Sequence, residues 1–530
     1  MTSKKFNQII NNIRDILNCE AITGRNGINY CVIFLVVKFL DESMSMLNGD
    51  KNVAYEKICG LGPKFNLRGF KIKSAENLYN ILFKLKDLNL RELNEDYVGT
   101  IYEIYLKSKT TNCKDLGQYF TNRKIVNYMI NMVNPQIGET ICDPAMGTGG
   151  FLAMYVKKLQ SINWSEYKNH IYGFDIDEEI ANLATLNLFL QTGEKFDNLA
   201  CMDSLTSNIN NKFDVILSNL PMGLNVNYNL CSNKIKELKI KASKSEILYI
   251  QLIMQLLKQN GRACITVPEG FLANKDKTRE YLIENFEVQK IVHLKGKFFL
   301  NSNVEIYVLY FLNSGKKTEK VDFYVYDKDY IETKILELKY EEIVSKGYKL
   351  LYKFYISMEI NCHIPCYKIK DICVFLPSGK HNASYGKDSG LYPFFTASKI
   401  IKYCDEYDYD IECIIISKGG QANINYGTKF SCSSTVYVLT SKYEDVLVKY
   451  IYWYLKSNLK LLENGFYGTG LKHITREYIE NIEIPVPSLE EQINIINKIY
   501  MLNGKIEKLH NMLQDIKQER VSMFNQELIS

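Results

Sequence analysis

A glycine-rich turn that begins with a carboxylate is the segment of this sequence best suited to approach a ligand. It reads Asp-Pro-Ala-Met-Gly-Thr-Gly-Gly-Phe-Leu over residues 143–152 and directly follows a short apolar run, 140–142, that predicts a strand. Gly147 and Gly149 let the backbone turn tightly and come close to a ligand, because they carry no Cβ atom. Related turns hold nicotinamide and flavin cofactors as well, so the turn alone does not identify its ligand.

Two more carboxylates follow predicted strands and narrow the choice of ligand. Asp175 comes after the predicted strand 170–174, where an acidic residue is placed to accept hydrogen bonds from the two ribose hydroxyls of an adenosine. Asp203 follows a third short strand and is placed to accept from the adenine amino group. Each carboxylate alone is equally well explained as a solvated loop charge. Three of them after successive strands, counting Asp143, predict a cofactor that contains adenosine.

The next predicted strand, 215–217, is followed by Ser-Asn-Leu-Pro-Met-Gly. At this point the sequence resembles the amino-methyltransferase family, in particular the modification subunits of type I restriction-modification systems, which carry Asn-Pro-Pro-(Phe/Tyr). An exocyclic amine is a poor nucleophile because its lone pair is delocalised into the ring. The resemblance implies that the Asn219 side chain and the Leu220 carbonyl accept the two N–H bonds of adenine N6, which localises that lone pair. It also implies that Met222 takes the place of an aromatic side chain stacked on the flipped-out base.

This catalytic segment, formed by Asn219, Leu220, Pro221 and Met222, departs from the family pattern at two positions. Leu220 replaces the first proline, which removes rigidity but keeps the carbonyl. Met222 replaces the aromatic residue, and we expect a cost of about 1–2 kcal/mol in holding the base because a thioether stacks more weakly. The sequence is therefore consistent with a catalytically active DNA adenine-N6 methyltransferase that is specific for a DNA site. It is also consistent with a DNA-binding homologue that is impaired in catalysis. A methyltransferase of protein glutamine or RNA also stays open, because the same motif serves those substrates.

Two further stretches extend the resemblance: residues 117–121, before the sheet, and residues 260–270, at a later strand and its loop. In the family the methyl donor is S-adenosyl-L-methionine, and no metal is implied. Carried over position by position, the residues that bind this cofactor are Tyr119, Thr121, Asp143, Ala145, Gly147, Thr148, Gly149, Asp175 and Asp203.

The elements that must position these residues follow from the apolar pattern. Apolar residues at helical spacing predict a helical N-terminal domain over residues 1–110. From 111 to 322, short apolar strands alternate with helices such as 180–190 and 247–259. That alternation predicts an α/β fold, a Rossmann-like methyltransferase domain with a doubly wound, mostly parallel sheet. The remaining strands predicted for this sheet are 263–267, 288–293 and 307–311. Such sheets bind ligands beyond the carboxyl ends of their strands.

The C-terminal part of the sequence resembles half of a specificity subunit from the same systems. The matching stretches are 392–394, 414–420, 468–474 and 482–492. The resemblance implies an α+β target recognition domain at 323–487, which reads one half-site of double-stranded DNA through base edges, and a long C-terminal spacer helix at 488–530. Ser488 and Glu491 have the spacing of a capping box, so they predict the start of that helix.

Two kinds of partner follow from this C-terminal part. The region has no basic excess, so we expect phosphate contacts from the local lysines Lys380, Lys418, Lys429 and Lys472, each of which also fits an ordinary solvated surface. Apolar residues from Ile499 to Met523 recur about every 3.5 residues, interrupted at Arg520, which predicts a homodimer through this helix. The alternative is a helix folded back onto its own methyltransferase domain. Whether a separate restriction nuclease subunit exists stays open.

Composition excludes little but agrees with this interpretation. A formal net charge of +5 permits a polyanionic partner without requiring one. Cys362, His363 and Cys366 cluster, but no second cysteine pair stands where zinc would need it, so packing cysteines are expected. The sequence has no signal-peptide pattern, and its most apolar stretch, 28–37, is too short to cross a bilayer. We therefore expect a cytoplasmic protein in a reducing compartment, with no membrane partner.

Overall fold

In a computed structural model the chain forms two compact units, Met1–Leu350 and Leu351–Ser530. The residues that the structure describes are 3–41, 50–52, 56, 72–90, 96–106, 121–159, 162–296, 298, 305–355, 364–468 and 471–529. The helices of the first unit are α1 (Ser3–Cys19), α2 (Gly24–Leu40), α3 (Ala75–Leu85), α4 (Tyr97–Leu106), α5 (Arg123–Val133), α6 (Gly150–Lys158), α7 (Trp164–Tyr167), α8 (Glu178–Thr192), α9 (Asn233–Glu237), α10 (Ser245–Leu256), α11 (Glu269–Ala273), α12 (Lys277–Asn285) and α13 (Tyr340–Ser345). Its strands are β1 (Ile141–Asp143), β2 (Ile171–Asp175), β3 (Leu199–Cys201), β4 (Phe213–Asn219), β5 (Leu257–Pro268), β6 (Glu287–Lys295), β7 (Ile306–Leu312), β8 (Lys320–Asp327) and β9 (Glu332–Lys339).

The N-terminal helices bury apolar side chains that recur at helical spacing, such as Ile10 and Ile13 of α1. Their core continues into α8, because Ile180 of that helix belongs to the same buried cluster. Arg25 Nη1 also donates to Asp177 Oδ2 over 2.7 Å, directly before α8. The helical segment therefore packs against the helix that follows β2.

The strands of the first unit form one sheet in the order β3-β2-β1-β4-β5-β7-β6-β8-β9. Strands β1 to β5 pair in parallel, and β7 runs antiparallel to both β5 and β6. All six strands that the sequence predicts at numbered positions lie in this sheet. The predicted α/β fold with a doubly wound, mostly parallel sheet is confirmed.

The last two strands of this sheet, β8 and β9, extend beyond the domain boundary that the sequence predicted. The expected boundary at 322/323 falls inside β8, which pairs in parallel with β6, and β9 then pairs with β8. Val321 and Phe323 are fully buried in the sheet. Because these two strands complete the sheet, residues 323–350 belong to the first unit, and the boundary lies later than the sequence indicated.

Two helix starts show how local sequence fixes the elements around the sheet. Asn122 accepts from the Lys124 backbone N–H and caps α5. Asp177 caps α8 in the same way, by accepting from the backbone of Glu179 and Ile180.

The second unit combines a six-stranded sheet with a small strand pair and a long helix. The sheet order is β11-β16-β14-β15-β12-β13, and β10 pairs with β17. Its strands are β10 (Cys366–Lys368), β11 (Cys373–Leu376), β12 (Tyr392–Phe395), β13 (Lys402–Cys404), β14 (Tyr409–Ser417), β15 (Ile424–Cys432), β16 (Val436–Ser441) and β17 (Glu483–Pro485). Its helices are α14 (Ile369–Ile372), α15 (Val448–Ser457), α16 (Lys460–Glu463), α17 (Arg476–Glu480) and α18 (Leu489–Ile529).

The long helix α18 begins at the predicted capping box, which is confirmed. The Ser488 hydroxyl accepts from the Glu491 backbone N–H over 3.4 Å, and the Glu491 carboxylate accepts from the Ser488 backbone N–H over 3.0 Å. The fully buried Gln492 then ties the first turn to the backbone of Asp445 and Leu447. Among the described residues, no helix has the length and apolar character needed to cross a membrane.

Candidate active site

Asp143 lies at the carboxyl end of β1 and is almost completely buried, with 1% of its surface exposed. Its Oδ1 atom accepts from the Ser218 hydroxyl over 2.7 Å and from the Ala145 backbone N–H over 3.1 Å. Oδ2 is buried with no hydrogen-bond partner among the described protein atoms. Burial raises the pKa of this carboxyl to about 7, although the two hydrogen bonds oppose that rise.

Asp175 ends β2 and closes the glycine turn. Its Oδ2 atom accepts from the Gly147 backbone N–H over 3.1 Å, and its Oδ1 atom accepts from the Asp177 backbone N–H over 2.9 Å. Burial raises the pKa of this carboxyl too, against the effect of the two N–H donors. Gly147 and Gly149 have φ values of 55° and 74°, in the left-handed region that glycine favours. A Cβ atom on Gly149 would also come within 3.1 Å of Ala184 Cβ, so this turn requires glycine for two reasons.

Asp203 follows β3 and is half-buried. Its two carboxylate oxygens accept from the Leu205 backbone N–H over 3.0 Å and from the Thr206 hydroxyl over 2.8 Å. Because β1, β2 and β3 are parallel neighbours, the three carboxylates follow the same edge of the sheet. The structure therefore brings together the acidic residues that the sequence selected.

Asn219 is the last residue of β4 and pairs in register with Thr266 of β5. The Thr266 hydroxyl donates to Asn219 Oδ1 over 2.6 Å and accepts from the Leu220 backbone N–H over 3.2 Å. Ser218, one residue before Asn219, is bonded in the other direction to Asp143 of β1. The start of the catalytic segment is thus tied to the strands on both of its sides.

The rest of the catalytic segment is held by the start of α10. The Ser245 hydroxyl donates to the Pro221 carbonyl over 2.8 Å, and the Glu246 carboxylate accepts from the Gly223 backbone N–H over 2.8 Å. Met222 is half-buried and packs against the core of the sheet domain. A segment that lacks the first proline is therefore restrained by hydrogen bonds from two neighbouring elements.

Several residues of this site were not selected by the sequence analysis. Thr266 and Ser245 contact the catalytic segment, and Glu246 bonds Gly223 directly after it. Thr266 lies within the 260–270 stretch that carried part of the resemblance. Tyr249, one helical turn after Ser245, is largely buried. Burial raises the pKa of its hydroxyl well above the ordinary value, and the three carboxylates, Asp203 first among them, add to that rise.

The remaining expected cofactor residues differ in their surroundings. Thr121 and Thr148 are buried, and the Thr148 carbonyl accepts from the Asn187 side chain over 3.0 Å. Ala145 is half-buried in the turn. Tyr119 lies outside the described residues.

Comparison with known proteins identifies both parts of the chain. The family model of the N-6 DNA methylase matches residues 93–356, and that of the type I restriction modification DNA specificity domain matches residues 366–518. Residues 93–356 belong to the N-6 DNA methylase family. The same polypeptide carries a type I specificity domain, so the resemblance found in the sequence is confirmed on both counts.

Individual relatives agree with this division. The chain is 29% identical over 311 residues to the type I restriction enzyme EcoEI methylase subunit of Escherichia coli, across 52% of this chain and 61% of that protein. It is 28% identical over 146 residues to the EcoDI specificity subunit of Escherichia coli, across 27% of this chain and 32% of that protein. The chain therefore spans less than two thirds of either relative.

A solved structure supports the fold. It comes from work on complex assembly and conformational transition of the type I R-M system, and it superposes with a TM-score of 0.51 at 18% identity. The match covers 68% of this chain and 92% of that one.

Within the specificity domain, Lys418 is held in place rather than directed to solvent. Its ammonium group donates to the Ser378 hydroxyl over 2.8 Å and to the Ser434 carbonyl over 2.7 Å, and burial lowers its pKa. Lys380 is exposed two residues after Ser378. The Lys472 carbonyl accepts from the backbone N–H of Gly420, so its segment lies against the one that follows Lys418.

Lys429 of the specificity domain has a different partner. It forms an ion pair with Asp410 over 3.3 Å and lies over the Tyr407 ring at 5.2 Å. The structure thus brings the segments of Lys380, Lys418 and Lys472 together and couples Lys429 to a carboxylate.

The cysteines of the described residues are free thiols, most of them buried. The described residues contain no group of three or more His, Cys, Asp or Glu side chains that would hold a metal ion. Cys366 is exposed, whereas Cys362 and His363 lie outside the described residues.

Proposed function

We propose that this chain transfers a methyl group from S-adenosyl-L-methionine to N6 of adenine in DNA that its own specificity domain reads. One observation carries the proposal: Asn219 ends β4 beside the strand ends that present Asp143, Asp175 and Asp203. One edge of the sheet then carries both an amide that would accept hydrogen bonds from the amine and carboxylates that would accept hydrogen bonds from a nucleoside. The family assignment supports the same reaction.

The residues at this edge fit an adenosylmethionine. The glycine turn brings backbone close to the strand ends, and Asp175 already orders that turn through the Gly147 N–H. Each oxygen of the Asp175 carboxylate keeps a second lone pair for a ribose hydroxyl. Asp143 Oδ2, buried without a protein partner, offers a further polar atom inside the same turn. When bound, the cofactor would supply an electrophilic methyl group on its sulfonium.

The chain's own contribution to the reaction is the orientation of the amine and of the base. Asn219 Oδ1 and the Leu220 carbonyl would accept the two N–H bonds of adenine N6, which holds the amine with its lone pair free to react. Met222 would lie against the flipped-out base. Because Thr266, Ser245 and Glu246 already restrain this segment, little reorganisation is needed when the base enters.

We assign DNA recognition to the specificity domain. We assign the protein to the cytoplasm. Lys380 and Lys472 would contact DNA phosphates. The internal bonds of Lys418 and the carboxylate partner of Lys429 favour positioning roles for those two lysines. One reading domain per chain, followed by α18, supports a homodimer that recognises an interrupted palindrome. Association with a separate nuclease subunit would complete a restriction-modification system.

Methyl transfer to DNA tests the proposal. Purified protein is incubated with tritiated S-adenosyl-L-methionine and genomic DNA, with RNA and protein offered in parallel reactions. We expect label in DNA from the wild type and none from Asn219→Ala, with cofactor affinity unchanged in the variant. Thr318→Val, at a buried hydroxyl remote from the site, is the control. Label in RNA or protein instead of DNA would refute the DNA substrate.

A second candidate is a DNA-binding homologue without transfer activity. Leu220 and Met222 favour it, because they remove the rigid proline and the aromatic stacking partner. This candidate predicts specific DNA binding and cofactor binding by a wild-type protein that incorporates no label. An active wild type excludes it.

A further inference from the structure

Thr266 combines full burial with two hydrogen bonds to the catalytic segment. Its hydroxyl donates to Asn219 Oδ1 over 2.6 Å and accepts from the Leu220 backbone N–H over 3.2 Å. The contact follows from strand register, since Asn219 and Thr266 are directly paired across β4 and β5. One hydroxyl therefore touches both residues whose oxygens are assigned to hold the amine.

The bond to Asn219 determines what that amide presents to a ligand. A threonine hydroxyl has one hydrogen to give, and it gives it to Oδ1. This holds Oδ1 towards Thr266 and disfavours the rotated amide, in which the hydroxyl hydrogen would lose this acceptor. A carbonyl oxygen has two lone pairs, so the second one on Oδ1 remains for an N–H of the amine.

The bond to Leu220 satisfies a backbone N–H that is present because this chain has leucine where the family motif has proline. A proline at this position would have no backbone N–H, whereas Leu220 has one and is 3% exposed. A buried N–H without an acceptor is costly, and the Thr266 hydroxyl is the acceptor. Thr266 thus replaces with a hydrogen bond part of the restraint that a proline would supply.

We propose that Thr266 is a positioning residue for methyl transfer, which acts by orienting the Asn219 amide and by satisfying the Leu220 N–H. The proposal rests on the proposed methyltransferase function. We expect an effect on kcat, because the geometry of the two acceptor oxygens matters when the amine attacks. We expect little effect on cofactor affinity, because the proposed cofactor-binding carboxylates follow β1, β2 and β3.

The test compares Thr266→Val, which keeps the shape but removes the hydroxyl, with Thr266→Ser, which keeps the hydroxyl. We expect Thr266→Val to lower kcat by about ten- to a hundredfold, with cofactor Kd within about twofold of wild type. Thr266→Ser should restore most of the rate. The matched control is Thr318→Val, because the buried Thr318 hydroxyl likewise donates to a carbonyl and accepts from a backbone N–H.

A double variant separates the two bonds. In a Leu220→Pro background no N–H needs an acceptor, so Thr266→Val should lower kcat by a smaller factor there than in the wild type. Equal factors in both backgrounds would overturn the Leu220 part of the proposal. A Thr266→Val enzyme with wild-type kcat, or a Thr266→Ser enzyme as slow as Thr266→Val, would overturn the whole. A wild type that transfers no methyl group would instead overturn the proposed function, and Thr266's role with it.

Discussion

The Ser218 hydroxyl donates a 2.7 Å hydrogen bond to Asp143 Oδ1 and so joins the strand that leads to Asn219 to the strand that leads to the glycine turn. Both residues are almost completely buried. The residues proposed to bind the cofactor and those proposed to bind the amine are therefore connected by one buried hydrogen bond. Since Asp143 Oδ1 accepts twice and Oδ2 has no described partner, a proton on Oδ2 leaves every observed bond intact.

That arrangement predicts how stability depends on pH. Burial raises the pKa of Asp143 to about 7, above its value of about 4 in an unfolded chain. The folded protein therefore binds this proton more tightly, so its contribution to stability is complete below about pH 4 and is lost as pH rises to about 7. Between about pH 4 and pH 7, we expect the free energy of unfolding of Asp143→Asn to rise relative to that of the wild type by at most about 4 kcal/mol.

Urea unfolding at a series of pH values measures this difference. Asp197→Asn, at an exposed carboxylate of the same unit, controls for the loss of one negative charge. If the stability difference between Asp143→Asn and wild type stays constant from about pH 4 to 8, Asp143 is not the buried, protonated group inferred here.

Cofactor affinity should depend on Asp175. Asp175→Ala removes the expected ribose acceptor and also releases the Gly147 N–H, so binding of S-adenosyl-L-methionine should weaken by about 1–3 kcal/mol. Isothermal titration calorimetry measures the loss. Asp175→Asn keeps the shape and one acceptor oxygen and should lose less. Unchanged affinity in a folded Asp175→Ala protein would show that the ribose binds elsewhere.

Much of the fold could be predicted because buried strands have a direct sequence signature. Short apolar runs located β1 and β2, which a carboxylate follows, and β4, which leads to Asn219, and the helices between them required a parallel sheet. The far edge could not be read in this way. β8 and β9 resemble the β-rich segment that follows them in sequence. The pairing of β8 with β6 and of β9 with β8 assigns them to the first unit.

The same limit applies to the site. Asp143 was selected because it follows a predicted strand, and Asn219 was selected through the family motif; both signals are local in sequence. Thr266, which bonds Asn219, and Ser245, which bonds Pro221, are 47 and 24 residues distant from those partners. These contacts depend on strand register and on where α10 begins. A polar residue at the end of the strand paired with the catalytic one is the signal that would have pointed to Thr266.

Met222 should limit the rate of methyl transfer through weak stacking. Met222→Phe restores an aromatic surface and should hold the flipped base better, by about 1–2 kcal/mol, which corresponds to an increase in rate of about tenfold. Leu224→Phe, two residues later at an exposed position, controls for an aromatic added to the same loop. A folded Met222→Phe enzyme no faster than wild type would mean that Met222 does not face the base.

Assembly of two chains should depend on the apolar stripe of α18, which consists of Ile499, Leu502, Ile506, Leu509, Leu513, Ile516 and Met523. Leu509 is 64% exposed and Leu513 is 49% exposed, an arrangement over several turns that soluble proteins rarely leave uncovered. We expect light scattering at micromolar concentration to report a dimer. Leu509→Glu with Leu513→Glu should convert it to a monomer and sharply weaken site-specific DNA binding, because the dimer presents the specificity domain of residues 366–518 twice. Cofactor affinity should stay unchanged. Asn511→Glu, on the opposite face of the helix, should leave the dimer intact. A wild type that stays monomeric with and without DNA would favour a helix that folds back within its own chain.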